Sequence, residues 1–353
     1  MGLRAALEPQ LAAVGITRVA DLAGLDEIDL PVFAAVRPRA RSLAVSQGKG
    51  LDPESAWVGA VLEAAELHAA EHVEAARRQE TGAVRRLLPT GTDAAASADV
   101  DGWVEGRALP GGETIWVPRD MVALDLTRPC RLRHWRRTSS GLGAGATVEA
   151  ACRHALFEVV ERHVLASVAA APRRARELRL APSPDGELGA VLEPIRAAGM
   201  QPLLWLLPSP PGLFVVKARL PGTVPTAPAV LGAACDVSAS RAAARALLEC
   251  VQSRATRLAG ARDDLDDADY AAHEENALAA RLRATRTAST TAWPDDENLP
   301  ATSAAIVAAL AAAGFPAVVV VALPTPLVGV EVVRALVPGS RDSFAPLSVA
   351  RAA

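Results

Sequence analysis

The sequence has few of the residues that mark metal-binding or disulfide-linked domains. Its 353 residues include four cysteines, Cys130, Cys152, Cys235 and Cys250, which are far apart and form no CxxC pair. Neither a zinc site nor a disulfide framework is therefore expected. We interpret the four thiols as buried or inert rather than catalytic.

Aromatic residues, long apolar runs and an excess of one charge are also lacking. Aromatics make up 3% of the chain, so its cores must consist mainly of Leu, Val, Ile and Ala. No apolar run reaches the roughly 18 residues of a membrane-spanning helix, and no signal peptide is visible. Charges of both signs are interspersed, with a formal net charge of −3, which argues against nucleic-acid and membrane surfaces. We expect a soluble, cytoplasmic protein.

The hydrophobic pattern predicts an α/β (α+β) fold in which long helices cover β-sheets. Half of the chain is apolar, which is enough for one large core or two modest ones. Predicted helices span residues 1–14, 53–80, 147–170, 238–258 and 302–313, and β-rich segments span 15–22, 30–38, 41–50, 103–107, 113–117, 203–207, 213–220, 229–235, 316–323 and 327–337.

Two of the predicted helices carry paired carboxylates. Glu63 and Glu66 are three residues apart, as are Glu158 and Glu161, so each pair projects from one helix face. Magnesium is commonly held by one or two carboxylates together with substrate phosphates, which makes such pairs candidates for a nucleotide–metal site. Taken alone, the first pair is more typical of a solvated helix face.

The second pair lies in an apolar frame, so its charges need partners. A divalent ion is one solution. An intrahelical network with Arg153 and Arg162 is the other, and the sequence leaves both open.

The fourth predicted helix is rich in arginine. Arginine offers a planar set of donors that suits phosphate oxygens, but the same side chains also form surface ion pairs. The candidate binding residues on this helix and just after it are Arg241, Arg245, Glu249, Gln252, Arg254 and Arg262.

Glycine-rich segments do not match the common nucleotide-binding loops. Lys49 lies between Gly48 and Gly50 without a following Ser or Thr, so it is not in a P-loop. Residues 141–145 have the spacing GxGxG rather than GxGxxG, which disfavours a dinucleotide fold. His68 and His72 are four apart but lack the HExxH pattern, which disfavours zinc.

Several motifs together resemble the YcaO family, whose members use ATP to modify backbone amides of ribosomally made peptides. Residues 139–163, SSGLGAGATVEAACRHALFEVVERH, resemble the family pattern SGL-x-AGNT-x-EEA followed by HAL-x-E-x-x-ER. The resemblance continues in SLAVSQGKG at 42–50, in the segment 241–264 that ends in GARDD, and in residues 314–339. It covers almost the whole chain.

The resemblance implies a single YcaO domain over residues 1–353, with ATP in a pocket unlike P-loop or Rossmann sites. Its N-terminal portion would be 1–80 with the first Glu pair, its central ATP-binding portion 81–262, and its C-terminal α/β portion 263–353. Carried over by position, the Mg²⁺ ligands would be Glu63, Glu66, Glu158 and Glu161. ATP would be bound by Lys49, Arg245, Glu249 and Arg262, with Arg162 bracing the second Glu pair.

Two positions depart from the family pattern. Ala146 replaces the Asn of AGNT and Ala150 replaces the second Glu of EEA. Alanine provides neither a metal ligand nor a hydrogen-bond acceptor. The neighbouring Glu149 would project in a different direction from the helix.

The resemblance also implies a reaction, in which a nucleophile adds to an amide carbonyl and ATP phosphorylates the resulting oxyanion. The run at 15–38 resembles members found with TfuA partners, which install thioamides, and the tail at 345–353 lacks a PxPxP ending. We therefore expect thioamide formation on a precursor peptide or protein, with a TfuA-like partner and a homodimeric state. The alternatives are an azoline-forming cyclodehydratase and a non-catalytic homologue that acts as a binding subunit.

Overall fold

The structure is a computed structural model. It describes residues 2–75, 85–89, 100, 102–132, 135–170, 174–180, 184–222, 229–262, 282, 289–290, 293, 299–315, 317–341 and 347–351. His134, His273 and the acidic residues 263–267 lie outside these ranges.

The helices and strands are numbered in chain order. The helices are α1 (Leu3–Leu7), α2 (Pro53–Glu71), α3 (Arg119–Val122), α4 (Val148–Ala170), α5 (Gly186–Ala197), α6 (Ala239–Ala259) and α7 (Ser303–Ala312). The strands are β1 (Arg18–Asp21), β2 (Val32–Val36), β3 (Val45–Lys49), β4 (Arg85–Pro89), β5 (Trp103–Leu109), β6 (Thr114–Pro118), β7 (Leu142–Gly145), β8 (Arg176–Leu178), β9 (Leu203–Leu207), β10 (Phe214–Leu220), β11 (Val230–Asp236), β12 (Ser289–Thr290), β13 (Val318–Leu323), β14 (Glu331–Leu336) and β15 (Leu347–Arg351).

The chain forms two compact units, each built from several segments. Unit 1 comprises residues 1–38, 43–64 and 167–300, and unit 2 comprises residues 39–42, 65–166 and 301–353. The prediction of a single domain over 1–353 stays a prediction.

Unit 1 contains two sheets. The smaller sheet has the order β1-β2-β3 with antiparallel pairing, and the larger has the order β11-β10-β9-β8-β12. Helix α6 packs on β10 and β11 and against α5. Its inner face is mostly alanine, which lets the helix lie close to the strands, and the core between them consists of Leu, Val, Ile and Ala side chains.

Unit 2 is built on a seven-stranded sheet with the order β15-β4-β6-β5-β13-β14-β7. The hairpin β5–β6 and the neighbours β13, β14 and β7 pair in antiparallel fashion, whereas β4 pairs with β6 in parallel. The strands β13 and β14 bury successive Val residues, as expected for a sheet covered on its faces.

A glycine allows β3 to approach α2 closely in unit 1. A Cβ atom placed on Gly48 would overlap the backbone O of Ala56 and the backbone N of Ala60. No side chain fits at this position, so the GKG sequence has a packing role in addition to any role in binding.

Most of the predicted elements are present. The predicted strands at 103–107 and 113–117 pair as β5 and β6, and Ser238 caps α6 by accepting a hydrogen bond from the backbone N of Arg241 at 3.3 Å. The predicted C-terminal end of the second helix is wrong, because α2 ends at Glu71 rather than at residue 80. Helix α5 was not predicted from the sequence.

The mixed α/β architecture with helices on sheets confirms the predicted fold class. Within the described ranges, none of the helices combines the length and the apolar character that crossing a bilayer requires.

Candidate functional site

Three of the predicted site glutamates are held by backbone N–H groups of strands. In each case a strand amide donates a hydrogen bond to one carboxylate oxygen of a helix residue, a charge-assisted contact that fixes the side chain. The three pairs are Gln47 N with Glu63 Oε2 at 2.6 Å, Ala144 N with Glu66 Oε1 at 2.6 Å, and Ala233 N with Glu249 Oε2 at 3.2 Å.

Lys49 is held in unit 1 by an amide rather than by a carboxylate. Its Nζ donates to Gln252 Oε1 at 2.7 Å, and Gln252 Nε2 donates to the backbone O of Gln47 at 3.4 Å. The Thr256 hydroxyl in turn donates to the side chain of Gln47. Because Gln252 is neutral, this hydrogen bond positions the Lys49 ammonium without cancelling its charge.

Glu63 is in a desolvated environment. Burial raises the pKa of its carboxyl above the usual 4.5, and the nearby Glu249 acts in the same direction. The hydrogen bond from Gln47 and the charges of Lys49 and Arg262 oppose this increase in pKa. Lys49 and Arg262, two of the predicted ATP-binding residues, therefore favour the charged form of Glu63. A bound divalent cation would stabilise that form further.

Arg245 lies in the second turn of α6 and shares one acidic partner with Arg241. The carboxylate of Asp236, the last residue of β11, lies 2.9 Å from Arg241 and 3.4 Å from Arg245. The sequence left open whether the arginines of this helix bind phosphate or form ion pairs. Arg241 and Arg245 do form ion pairs, with Asp236, which the sequence analysis did not identify.

In unit 2, Glu66 brings α2 next to α4. Its Oε1 atom lies 3.9 Å from Nε2 of His154. His154 is one helical turn before Glu158, whose Oε1 lies 3.5 Å from Arg162. Glu158 and Glu161 are both half-buried. The sequence allowed an intrahelical network of Arg153 and Arg162 with the second Glu pair. The contact between Glu158 and Arg162 is present. Arg153 instead donates a hydrogen bond to the backbone O of Ala301 at 3.1 Å.

The two positions that depart from the family pattern lie at the start of α4. Ala146 is exposed in the turn between β7 and α4, and the backbone N of Ala150 donates to Thr147 Oγ1 at 3.1 Å. The carboxylate of Glu149 accepts hydrogen bonds from N and Oγ of Ser303 at 2.6 and 2.5 Å. Glu149 therefore anchors the start of α7 and is not available to replace a glutamate at position 150.

The cysteines and the histidine pair do not form a reactive site. Burial raises the pKa of Cys130 and Cys152, and it raises that of Cys250 to about 12, so these sulfurs are poor nucleophiles at neutral pH. The rings of His68 and His72 stack with centroids 4.2 Å apart, and His72 Nδ1 contacts the backbone O of His68. The burial of the thiols agrees with the sequence interpretation of the cysteines.

The donor set fits magnesium bound together with phosphates. Among the residues that the structure describes, no three His, Cys, Asp or Glu side chains form a cluster that holds a metal ion without help. Magnesium does not need such a cluster, since it commonly binds one or two carboxylates, several waters and substrate phosphates. Glu63 supplies a half-buried, desolvated carboxylate of this kind, and the side chain of Glu66 is 12% exposed.

Sequence reasoning missed three residues that orient the others, namely Gln47, Thr256 and Asp236. Gln47 and Thr256 contact each other across 209 positions of sequence, which no local pattern reveals. Asp236 gave a usable signal, since an acid at the end of a strand and just before a helix N-cap is well placed to meet arginines on the first turns of that helix.

Comparison with known proteins gives consistent matches. The family model described as YcaO cyclodehydratase, ATP- and Mg²⁺-binding, matches residues 47–341. A protein of Rhizobium leguminosarum bv. trifolii, described as an uncharacterized protein in the tfuA 3′ region, is 32% identical, and the alignment covers 95% of this chain and 86% of that protein.

Two solved structures are similar in fold. The structure of YcaO from Methanopyrus kandleri bound with AMPPCP and Mg²⁺ has a TM-score of 0.73 at 25% identity, covering 96% of this chain and 88% of that one. A chain of the Escherichia coli microcin synthetase McbBCD complex with pro-MccB17 bound has a TM-score of 0.67 at 14% identity, covering 91% and 88%.

Proposed function

The chain belongs to the YcaO family, and on that premise we propose that it uses ATP and Mg²⁺ to activate a peptide backbone amide, with a thioamide as the product. ATP and Mg²⁺ are the cofactors that the family description names, as the sequence analysis predicted. The finer assignments of residues and product are our proposal.

The observation that carries this proposal is Glu63, a glutamate that a strand N–H holds and on which the charges of Lys49 and Arg262 act. Glu63 is an ionisable side chain in a desolvated environment. Ionisable groups with a pKa shifted in this way are typical of functional sites. Glu63, Glu66, Glu158 and Glu161 would hold Mg²⁺. Lys49, Arg245, Glu249 and Arg262 would bind ATP, and Arg162 would orient Glu158.

When bound, ATP supplies a phosphoryl group that converts the amide oxygen into a good leaving group. The residues of this chain bind and orient that nucleotide. Fixed cations such as Lys49 and Arg245 lower the energy of negative charge that develops on a transferring phosphoryl group, because they are oriented before the reaction begins.

Thioamide formation is favoured over azoline formation by the relative in the tfuA 3′ region. The same similarity supports a TfuA-like protein as partner and a precursor peptide or protein as substrate. An azoline product is the second candidate, because the family description reads cyclodehydratase and the microcin synthetase complex shares the fold.

Nucleotide binding is tested by isothermal titration calorimetry with AMPPCP and Mg²⁺. Glu63→Ala and Glu158→Ala should each weaken binding at least tenfold, about the value of one lost charge-assisted contact. Glu187→Ala, which removes an exposed glutamate of α5, is the matched control and should bind as the parent does. A parent protein that binds no nucleotide would refute the proposal.

The product is tested by mass spectrometry of a candidate precursor peptide, after incubation with ATP, Mg²⁺, sulfide and a TfuA-like protein. Replacement of one oxygen by sulfur is expected. Loss of one water would instead identify an azoline former. Nucleotide binding without any ATP-dependent change in mass would favour the binding-subunit alternative, in which Ala146 and Ala150 reflect lost catalysis.

A further inference from the structure

Asp236 shares its carboxylate between two arginines. Its Oδ1 accepts from the Nε of Arg241 at 2.9 Å, with the Arg241 Nη2 also at 2.9 Å, and from the backbone N of Ser238 at 3.1 Å. Its Oδ2 lies 3.4 Å from Nη1 of Arg245. The Asp236 side chain is 4% exposed, so protein groups rather than water surround its carboxylate.

The charges of this cluster do not cancel. One carboxylate faces two guanidinium groups, which leaves a formal charge of about +1 on the cluster. The side chains of Arg241 and Arg245 are 44% and 47% exposed, so the excess positive charge is accessible. A half-exposed cation pair fixed by a buried acid suits an anionic ligand.

Arg245 keeps most of its donors available. A guanidinium has five N–H groups, and within the described part of the chain Asp236 is the one partner recorded for this side chain. Two nitrogens of Arg241 contact Oδ1 of Asp236, whereas Arg245 contacts Oδ2. The two guanidinium groups therefore do not compete for the same carboxylate oxygen.

We propose that Asp236 is a positioning residue for nucleotide binding, which orients the guanidinium of Arg245 toward a phosphate of ATP. This inference rests on the proposed function. An unrestrained arginine would lose rotamer freedom when ATP binds, and this loss weakens binding. An arginine that Asp236 already holds has lost much of that freedom on folding, so binding costs it less entropy.

The test measures binding of Mg-ATP and of adenosine by calorimetry. Asp236→Asn should weaken Mg-ATP about tenfold, since a charged hydrogen-bond acceptor is lost. Adenosine, which lacks phosphate, should bind to the variant as it does to the parent. In an Arg245→Gln background the Asp236→Asn substitution should have no further effect on Mg-ATP, because the two residues act as one unit.

A second buried acid, which pairs with another arginine of α6, provides the matched control. Asp26 pairs with Arg254 of α6 at 2.6 Å, and its side chain is 3% exposed. Asp26→Asn removes a comparable ion pair and should lower the unfolding temperature without changing the ratio of Mg-ATP to adenosine affinity.

The outcomes separate this inference from the proposed function. If the parent binds Mg-ATP and Asp236→Asn binds it equally well, or if adenosine binding falls by the same factor, the positioning role is overturned and the proposed function stands. If the parent binds no Mg-ATP, both fall. Should Asp236→Asn not fold, Asp236→Glu keeps the charge but displaces it, and an unchanged affinity for Mg-ATP would overturn the proposal.

Discussion

Glu63 is subject to two opposing requirements. Binding a cation requires its charged form, while its burial in the folded protein disfavours that form and raises its pKa. Because the pKa in the folded state is above the usual value, ionisation of Glu63 costs stability. That cost is absent well below pH 4.5, where the group is protonated in both states, and it develops as the pH rises through the folded-state pKa.

Replacing Glu63 with Gln should therefore stabilise the ligand-free protein. The amide keeps an acceptor for the N–H of Gln47 and removes the buried charge. At pH 7 we expect the unfolding temperature to rise by about 2 °C, and the gain should vanish below pH 4.5. Glu54→Gln, at an exposed position in the first turn of α2, should have no such effect. A lower unfolding temperature for Glu63→Gln at pH 7 would show that its charge is compensated.

His163 gives the opposite dependence on pH. Burial and the charge of Arg341 lower its pKa below the usual 6.5, and its Nδ1 accepts a hydrogen bond from the backbone N of Arg341 at 2.8 Å. A depressed pKa contributes stability above pH 6.5, which is lost as the pH falls through the folded-state pKa. The neutral ring is therefore the folded form.

His163→Asn retains an acceptor for that hydrogen bond but does not titrate. Chemical denaturation between pH 7 and pH 5 should show a smaller loss of unfolding free energy for the variant than for the parent. Arg341→Gln should also reduce the loss, because the pKa of His163 moves back toward its usual value. Parallel curves for parent and His163→Asn would contradict this account.

At the scale of elements, a strand followed by a helix recurs at each group of site residues. The strands β3, β7 and β11 precede the helices α2, α4 and α6, and each strand donates a backbone N–H to a glutamate. In the first and third cases the glutamate is on the following helix, whereas β7 meets Glu66 of α2. Close packing of strand on helix is what brings each amide within reach.

Gly48→Ala tests that close packing. The added Cβ would overlap backbone atoms of α2, which cannot rotate away, so we expect a loss of about 3 kcal/mol of unfolding free energy. Gly24→Ala is the control, because a Cβ at Gly24 meets no atom within 4 Å. Denaturant unfolding of both variants measures the difference, and equal stability of the two would refute the packing argument.

Glu149→Ala tests whether this residue anchors α7 or supports metal binding. Loss of its hydrogen bonds to Ser303 should lower the unfolding free energy by about 1 kcal/mol, with Mg-AMPPCP affinity unchanged. Calorimetry with Mg-AMPPCP and thermal unfolding give the two values. A drop in nucleotide affinity without loss of stability would assign Glu149 to the metal site instead.

For the whole molecule, nucleotide binding should be coupled to stability. At a concentration one hundred times its dissociation constant, Mg-AMPPCP should stabilise the folded protein by about 2.7 kcal/mol. Thermal unfolding with and without EDTA measures this effect, which should disappear when the metal is removed. Equal stabilisation in EDTA would mean that the glutamates do not act through magnesium.

The sequence by itself determined most of the elements, the family and the residue types of the proposed site. Helices α4, α6 and α7 and the strands β9, β10 and β11 follow from apolar periodicity and capping residues, because these signals act between near neighbours. The end of α2 and the whole of α5 were missed. The carboxylate pairs were visible for the same reason, since residues three apart on a helix share a face.

Only the tertiary structure decided which groups meet. The contact of Ala144 with Glu66 spans 78 positions and that of Lys49 with Gln252 spans 203. The sharing of Asp236 by two arginines and the use of Glu149 at the start of α7 were likewise not predictable. Such contacts depend on how distant segments pack, and burial then sets the energy of each charge, as the raised pKa of Glu63 shows.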